Sequence, residues 1–172
     1  MRDGRHQKLR RGFTGILAGA LMLFAAAPCR AQKSQAAHGA KAGDREFAAL
    51  IDRYCETWST GDPEKPAELY AKDPDLVFYD LAPFEYHGWE EYKVGVKKAF
   101  FDSMSEGKLT RKDDLRVTRR GNLAWTTVTL HFAIVWKDKR TSDIEARHTA
   151  IWEKRGGKWL IVHEHLSAPF AS

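Results

Sequence analysis

Two hydrophobic periods divide the chain. Between residues 44 and 104 most apolar positions recur every three or four residues. Phe47, Leu50, Ile51, Tyr54 and Trp58 mark one face of a helix, with Asp44 placed to cap it and Gly61-Asp62-Pro63 to stop it. A second short helix fits residues 66–71, with Leu69 and Tyr70 inward and Pro74 ending it. Residues 76–80 (Leu-Val-Phe-Tyr-Asp) read as a short strand. A loop containing Pro83 follows, over residues 81–87. After Gly88, the spacing of Trp89, Tyr92, Val96, Ala99, Phe100 and Met104 predicts a third helix over residues 89–104.

Beyond residue 104 the period shortens to that of strands. They are predicted over 109–117, 123–136, 144–153 and 159–166, with turns at Arg119-Arg120-Gly121-Asn122, near 137–141 and at Gly156-Gly157. Helices first and an antiparallel meander after them define an α+β fold. The long strand is apolar on both faces. Ala124, Val128, Leu130, Phe132, Ile134 and Trp136 occupy one, while Leu123, Trp125, Ala133 and Val135 occupy the other. One face is expected to pack on the helices and the other to meet a second copy of the chain, making a homodimer.

Charge alters the picture only at the N-terminus. The sequence of 172 residues has a formal charge of +5, which by itself would suggest a nucleic-acid partner. Five of its basic residues, Arg2, Arg5, Lys8, Arg10 and Arg11, precede an uncharged apolar run from Phe13 to Ala27. That is the layout of a secretory signal peptide, with a small-residue cleavage site at Cys29-Arg30-Ala31. The run is shorter than the roughly 20 residues of a membrane-spanning helix, so no stable membrane anchor is expected after cleavage. Arg10-Arg11-Gly12-Phe13 also resembles a twin-arginine export signal.

The expected organisation is a signal peptide over 1–31, a flexible linker over 32–43 and one domain over 44–172, in the periplasm or secreted. Cleavage takes six of the 28 Lys/Arg and one of the 23 Asp/Glu, leaving 22 of each. The neutral balance removes the electrostatic case for nucleic acid. Only Cys55 remains, so the mature monomer has no internal disulfide, and its stability rests on an aromatic-rich core.

Three segments resemble one group of proteins. They are Tyr54-x6-Gly61-Asp62, then Asp73-x-Asp75-Leu76-Val77-Phe78-Tyr79-Asp80 with Gly88 opening a helix, and the run from Arg147-His148-Thr149 through Gly157-Lys158-Trp159 to His163-Glu164-His165-Leu166-Ser167. In this order, over residues 44–170, they resemble the nuclear transport factor 2-like superfamily, in particular its SnoaL-like and ketosteroid-isomerase-like branch. The resemblance implies a curved antiparallel sheet wrapped by three N-terminal helices into a cone with a pocket at its wide end. It does not imply an activity, because the fold hosts isomerases, dehydratases, cyclases and proteins that only bind.

In the steroid-isomerase branch a carboxylate on the first strand moves the proton and a tyrosine on the first helix hydrogen-bonds the enolate oxygen. By position these are Asp80 and Tyr54. A carboxylate desolvated by Phe78, Tyr79, Phe84 and Trp89 would have a raised pKa suited to a general base. The branch's second oxyanion donor, an acid, falls at Thr149, with Arg147 and His148 beside it, so steroid isomerisation in particular is not implied.

Trp58, Phe78, Trp89, Arg147, His163 and His165 complete the expected ligand site for a small, largely apolar organic molecule. The competing readings are structural: Asp80 capping a turn, Tyr54 as a core aromatic, and Arg147 paired with Glu145, Glu153 or Glu164 across strands. His163 and His165 share one strand face and could ligate a metal with His131, His148 or Asp80 as third ligand, but two histidines alone are fewer than the three or four donors a zinc site needs. No metal or cofactor is expected. The chain is read as a ligand-binding domain with isomerase- or dehydratase-type acid–base chemistry, or else as a non-catalytic dimerising module whose cone is filled by its own side chains.

Overall fold

A computed structural model describes residues 40–169. The expected signal peptide, its cleavage site and the first part of the linker lie outside the described residues. Helix α1 (Ala40–Trp58) begins four residues before Asp44, so the last part of the expected linker is helical. Ala40, Lys41 and Ala42 are good helix formers. The second expected helix is a single 3₁₀ turn, Pro66–Leu69.

Helix α2 (Gly88–Val96) is shorter than its periodicity suggests. It passes into a π turn over Lys97–Phe101, where the Asp102 N–H donates to the Lys97 carbonyl at 2.9 Å. Met104, expected as the helix's last apolar position, instead opens a strand.

The strands among the described residues are β1 (Val77–Tyr79), β2 (Tyr86–His87), β3 (Met104–Arg111), β4 (Arg116–Arg120), β5 (Leu123–Trp136), β6 (Thr141–Arg155) and β7 (Lys158–Ser167). The single strand expected over 109–117 is two strands, broken at residues 112–115. Both pair with β5, β4 along its first half and β3 along its second. The sheet order is β2-β1-β7-β6-β5-β3. Long strands β5, β6 and β7 form the predicted meander, and Gly156 and Gly157 make its tight turn with φ of +56° and +85°.

The sheet is mixed rather than wholly antiparallel. β1 lies parallel to β7, with Phe78 opposite Glu164 and Tyr79 opposite His165. Helix α2 and its π turn, which follow β1 and β2, carry the chain to the far edge of the sheet at β3, while β1 pairs with the other side of the meander along β7.

The even-numbered side chains of β5 and β6 pack on α1 and α2. Ala124, Thr126, Val128, Leu130, Ala146, His148, Ala150 and Trp152 are all buried. The opposite face leaves Leu123, Trp125 and Ile151 exposed.

β7 carries a bulge at Val162: Ile151 pairs with His163 while the next residue, Trp152, pairs with Ile161. The extra residue reverses the alternation. Trp159 and Ile161 face inward before it, and Glu164 does so after it.

Gly95 of α2 lies against Tyr86, and a Cβ built on it would sit 1.8 Å from the ring. Alanine would gain about 1 kcal/mol of helix propensity there, but displacing a buried aromatic costs about 1–3 kcal/mol. Gly95→Ala is therefore expected to destabilise the domain, read as a lower urea midpoint.

Candidate functional site

The inner face of the sheet and the two helices leave a cavity of about 50 Å3. Its aromatic walls are Tyr54 and Trp58 from α1, Tyr92 from α2, Phe100 and Phe101 from the π turn, and Phe132 from β5. The π turn has a local consequence: it brings two consecutive phenylalanines to one space, a placement that the 100° step of an α-helix would oppose. Asp80, Leu81 and Leu166 line this cavity and also an open groove of about 990 Å3 on the other side. Tyr79, Phe84, Ile144 and Pro169 contribute to the groove's apolar surface. Asp80 thus stands between a small aromatic cavity and an open groove.

The half-buried Asp80 carboxylate accepts the Leu81 N–H at 2.6 Å. Burial pushes its pKa up to about 7, with the charge of Glu164 adding to the effect and the Leu81 hydrogen bond opposing it. No Lys or Arg pairs with it among the described residues.

Beneath the cavity lies a buried polar network that the sequence reading did not foresee. Glu164 has no exposed surface. It accepts the Tyr92 hydroxyl at Oε1 and the Tyr70 hydroxyl at Oε2, the latter at 2.9 Å. His148 Nε2 lies 3.4 Å from Oε2. Trp58 Nε1 donates to the Tyr70 hydroxyl at 3.0 Å, tying the network to the cavity wall. The Tyr54 ring packs on the His148 ring at 4.8 Å between centroids. Burial raises the pKa of Tyr54 well above the ordinary phenol range, and Glu164 and Asp80 raise it further. Tyr70 and Tyr92 shift the same way, from burial first and Glu164 second.

Of the expected site residues, Asp80, Tyr54 and Trp58 come together at the cavity. Phe78 and Trp89 do not line it. Phe78 stacks on Tyr92 at 5.0 Å and Trp89 packs on Tyr70 at 4.5 Å, both deeper in the core. Phe84, expected to desolvate Asp80, is 86% exposed.

Arg147 is exposed on the outer face, opposite Thr129 and Ser167. His163 and His165 are turned away from the cavity by the Val162 bulge and flank Tyr79, with ring separations of 5.3 and 5.7 Å. His163 Nδ1–H donates to the Val77 carbonyl at 2.7 Å, while His165 lines the groove. Among the described residues no three His, Cys, Asp or Glu side chains are grouped as a metal site requires.

Tyr70 and Tyr92 were legible as inward-facing residues, but their shared acceptor was not. A regular alternation from Trp159 and Ile161 assigns the inner face to His163 and His165 and leaves Glu164 outside. Val162, a β-branched residue, bears no sequence mark of a bulge.

The model of the SnoaL-like domain family matches residues 48–171, and the chain belongs to that family. Among solved structures, a nuclear transport factor 2-like superfamily protein from Salmonella enterica serovar Typhimurium is similar at 23% identity and a TM-score of 0.66. The match covers 77% of this chain and 94% of that one. A Xanthomonas campestris protein named for the calcium/calmodulin dependent protein kinase II association domain is similar at 31% identity and a TM-score of 0.60, over 73% and 86% of the two chains. A Streptomyces avermitilis protein named as a dehydratase of the same fold shares 14% identity at a TM-score of 0.64, over 76% and 99%, a likeness of fold alone. No curated protein matches the sequence.

Proposed function

We propose that this is an exported SnoaL-like domain that binds a small, largely apolar organic molecule at the mouth of its cone and moves a proton on it through Asp80. The observation that carries the reading is the position of Asp80. A carboxyl with a pKa of about 7 sits between an aromatic cavity and an open groove. A base near the working pH is both available and strong enough to take a proton. Tyr54, whose proton is firmly held, serves as a neutral hydrogen-bond donor across the cavity. Isomerase- and dehydratase-type reactions both need such a pair.

The inner cavity is small. A space of about 50 Å3 takes a few water-sized groups, so the ligand's reacting end enters it while the rest lies in the groove. The same small volume favours a second reading, a non-catalytic module whose cone is filled by its own aromatic side chains.

Export rests on the charged and apolar N-terminal pattern. A homodimer rests on the outer face of β5 and β6, where Trp125 pairs across the strands with Ile151 beside Leu123, all exposed. Native mass spectrometry of the protein recovered from the periplasm tests these points together. The expected species starts at Gln32, contains two subunits and retains a small molecule. Trp125→Lys with Ile151→Lys should convert it to monomer. A chain that is monomeric, binds nothing and retains Met1 would overturn all three.

A further inference from the structure

We infer that the ligand is a cation, a small organic amine whose protonated head enters the aromatic cavity beside Asp80 while its body lies along the groove. The inference rests on the ligand-binding reading above and specifies the charge of the ligand.

Charge distribution around the two spaces is one-sided. The cavity lining contains one charged residue, Asp80, and no Lys, Arg or His. Beneath the cavity is Glu164, its carboxylate held by Tyr70, Tyr92 and His148. The groove lining adds Asp143 and Glu145, and its one side chain able to carry positive charge is His165. Those two acids have partners: His131 Nε2 is 3.1 Å from Asp143, and Lys112 bonds Glu145. Asp80 is left as the carboxylate at which an incoming charge would be felt most.

A space with one carboxyl at its opening and a second beneath it penalises further negative charge. The ionisation of Tyr54 in the same space is opposed first by burial and then by Glu164 and Asp80. A positive charge in the same space is attracted by both carboxylates. Ring faces reinforce the sign. Tyr54, Trp58, Tyr92, Phe100, Phe101 and Phe132 surround the cavity, and the face of an aromatic ring is the negative pole of its quadrupole.

An ammonium group is small enough for the space, and it sheds water more readily against aromatic walls than a metal ion does against so few oxygen donors. The half-neutralised Asp80 carboxyl ionises on the arrival of the cation and becomes its counter-ion. Outside the cavity, the apolar surface of Tyr79, Phe84 and Ile144 suits a hydrocarbon or aryl body.

Three soluble probes of equal frame, benzylammonium, benzyl alcohol and benzoate, isolate the head-group charge. Isothermal titration on the wild-type chain is expected to rank them in that order, with the cation bound about tenfold more tightly than the alcohol. Asp80→Asn, with an unchanged far-ultraviolet circular dichroism spectrum, should abolish the preference for the cation. The wild-type ranking decides the matter even if the variant does not fold. If the alcohol or benzoate binds as tightly as the cation, the charge inference falls and the ligand-binding reading stands. If none binds at millimolar concentration, the charge inference falls as well, and the ligand-binding reading is decided separately by the molecule retained in native mass spectrometry.

Discussion

Glu164→Ala is expected to lower the unfolding free energy by about 3–5 kcal/mol, the range for breaking a buried, hydrogen-bonded charge network. Denaturation in urea at neutral pH measures it. The carboxylate is fully buried, and its removal leaves the Tyr70 and Tyr92 hydroxyls and His148 Nε2 without their acceptor. Domains of this size have only about 5–15 kcal/mol to lose, so the substitution removes a large share of the stability.

Glu164→Gln keeps the shape and an acceptor oxygen, but it replaces the other oxygen with a donor facing donors. A loss of about 1–3 kcal/mol is expected for it. Glu164 would not hold the buried network together if Glu164→Ala stayed within about 0.5 kcal/mol of wild type, the range of ordinary surface substitutions.

Asp80→Asn is expected to reduce proton transfer on any turned-over ligand by about 10²–10⁴-fold, the usual contribution of a positioned general base. Wild-type kcat/KM should rise with pH through about 7 as the carboxyl ionises, and the variant should lose that limb.

Stability moves in the opposite direction. The folded pKa lies above the ordinary value of 3.8, so between about pH 4 and 7 the folded state holds a proton that the unfolded state has released. Stability from this group is therefore full below about pH 4 and is lost as pH rises through about 7. Asn at position 80 should flatten that part of the stability profile. A wild-type profile that gains stability from Asp80 across this interval would contradict the desolvated site.

The two predictions probe different layers of one arrangement. Glu164 organises the floor, and its charge reaches both Tyr54 and Asp80. Asp80 acts at the opening. A substitution in the floor should therefore also shift the pH dependence at the opening, since removing the Glu164 charge removes one of the causes that raise Asp80.

Much of the fold was legible in local pattern. The helical face from Phe47 to Trp58, the bounds of the long strand Leu123–Trp136 and the Gly156-Gly157 turn follow from periodicity and from the positive φ that glycine tolerates. Asp80 and Tyr54 came from resemblance, and both line the cavity. Local pattern was less informative where an element's limits depend on its neighbours. The third helix ends in a π turn because Met104 is taken by β3, opposite Trp136 of β5.

Pairing and facing were decided by the tertiary structure. No local preference says that β1 will lie parallel to β7, since that follows from where α2 returns the chain to the sheet. A single extra residue, Val162, turns His163 and His165 outward and Glu164 inward, because side chains alternate with a period of two and one inserted position reverses every residue beyond it. Sequence determined which segments would be helices and strands and which residue types could carry chemistry. The bulge and the parallel edge determined which of those residues meet inside.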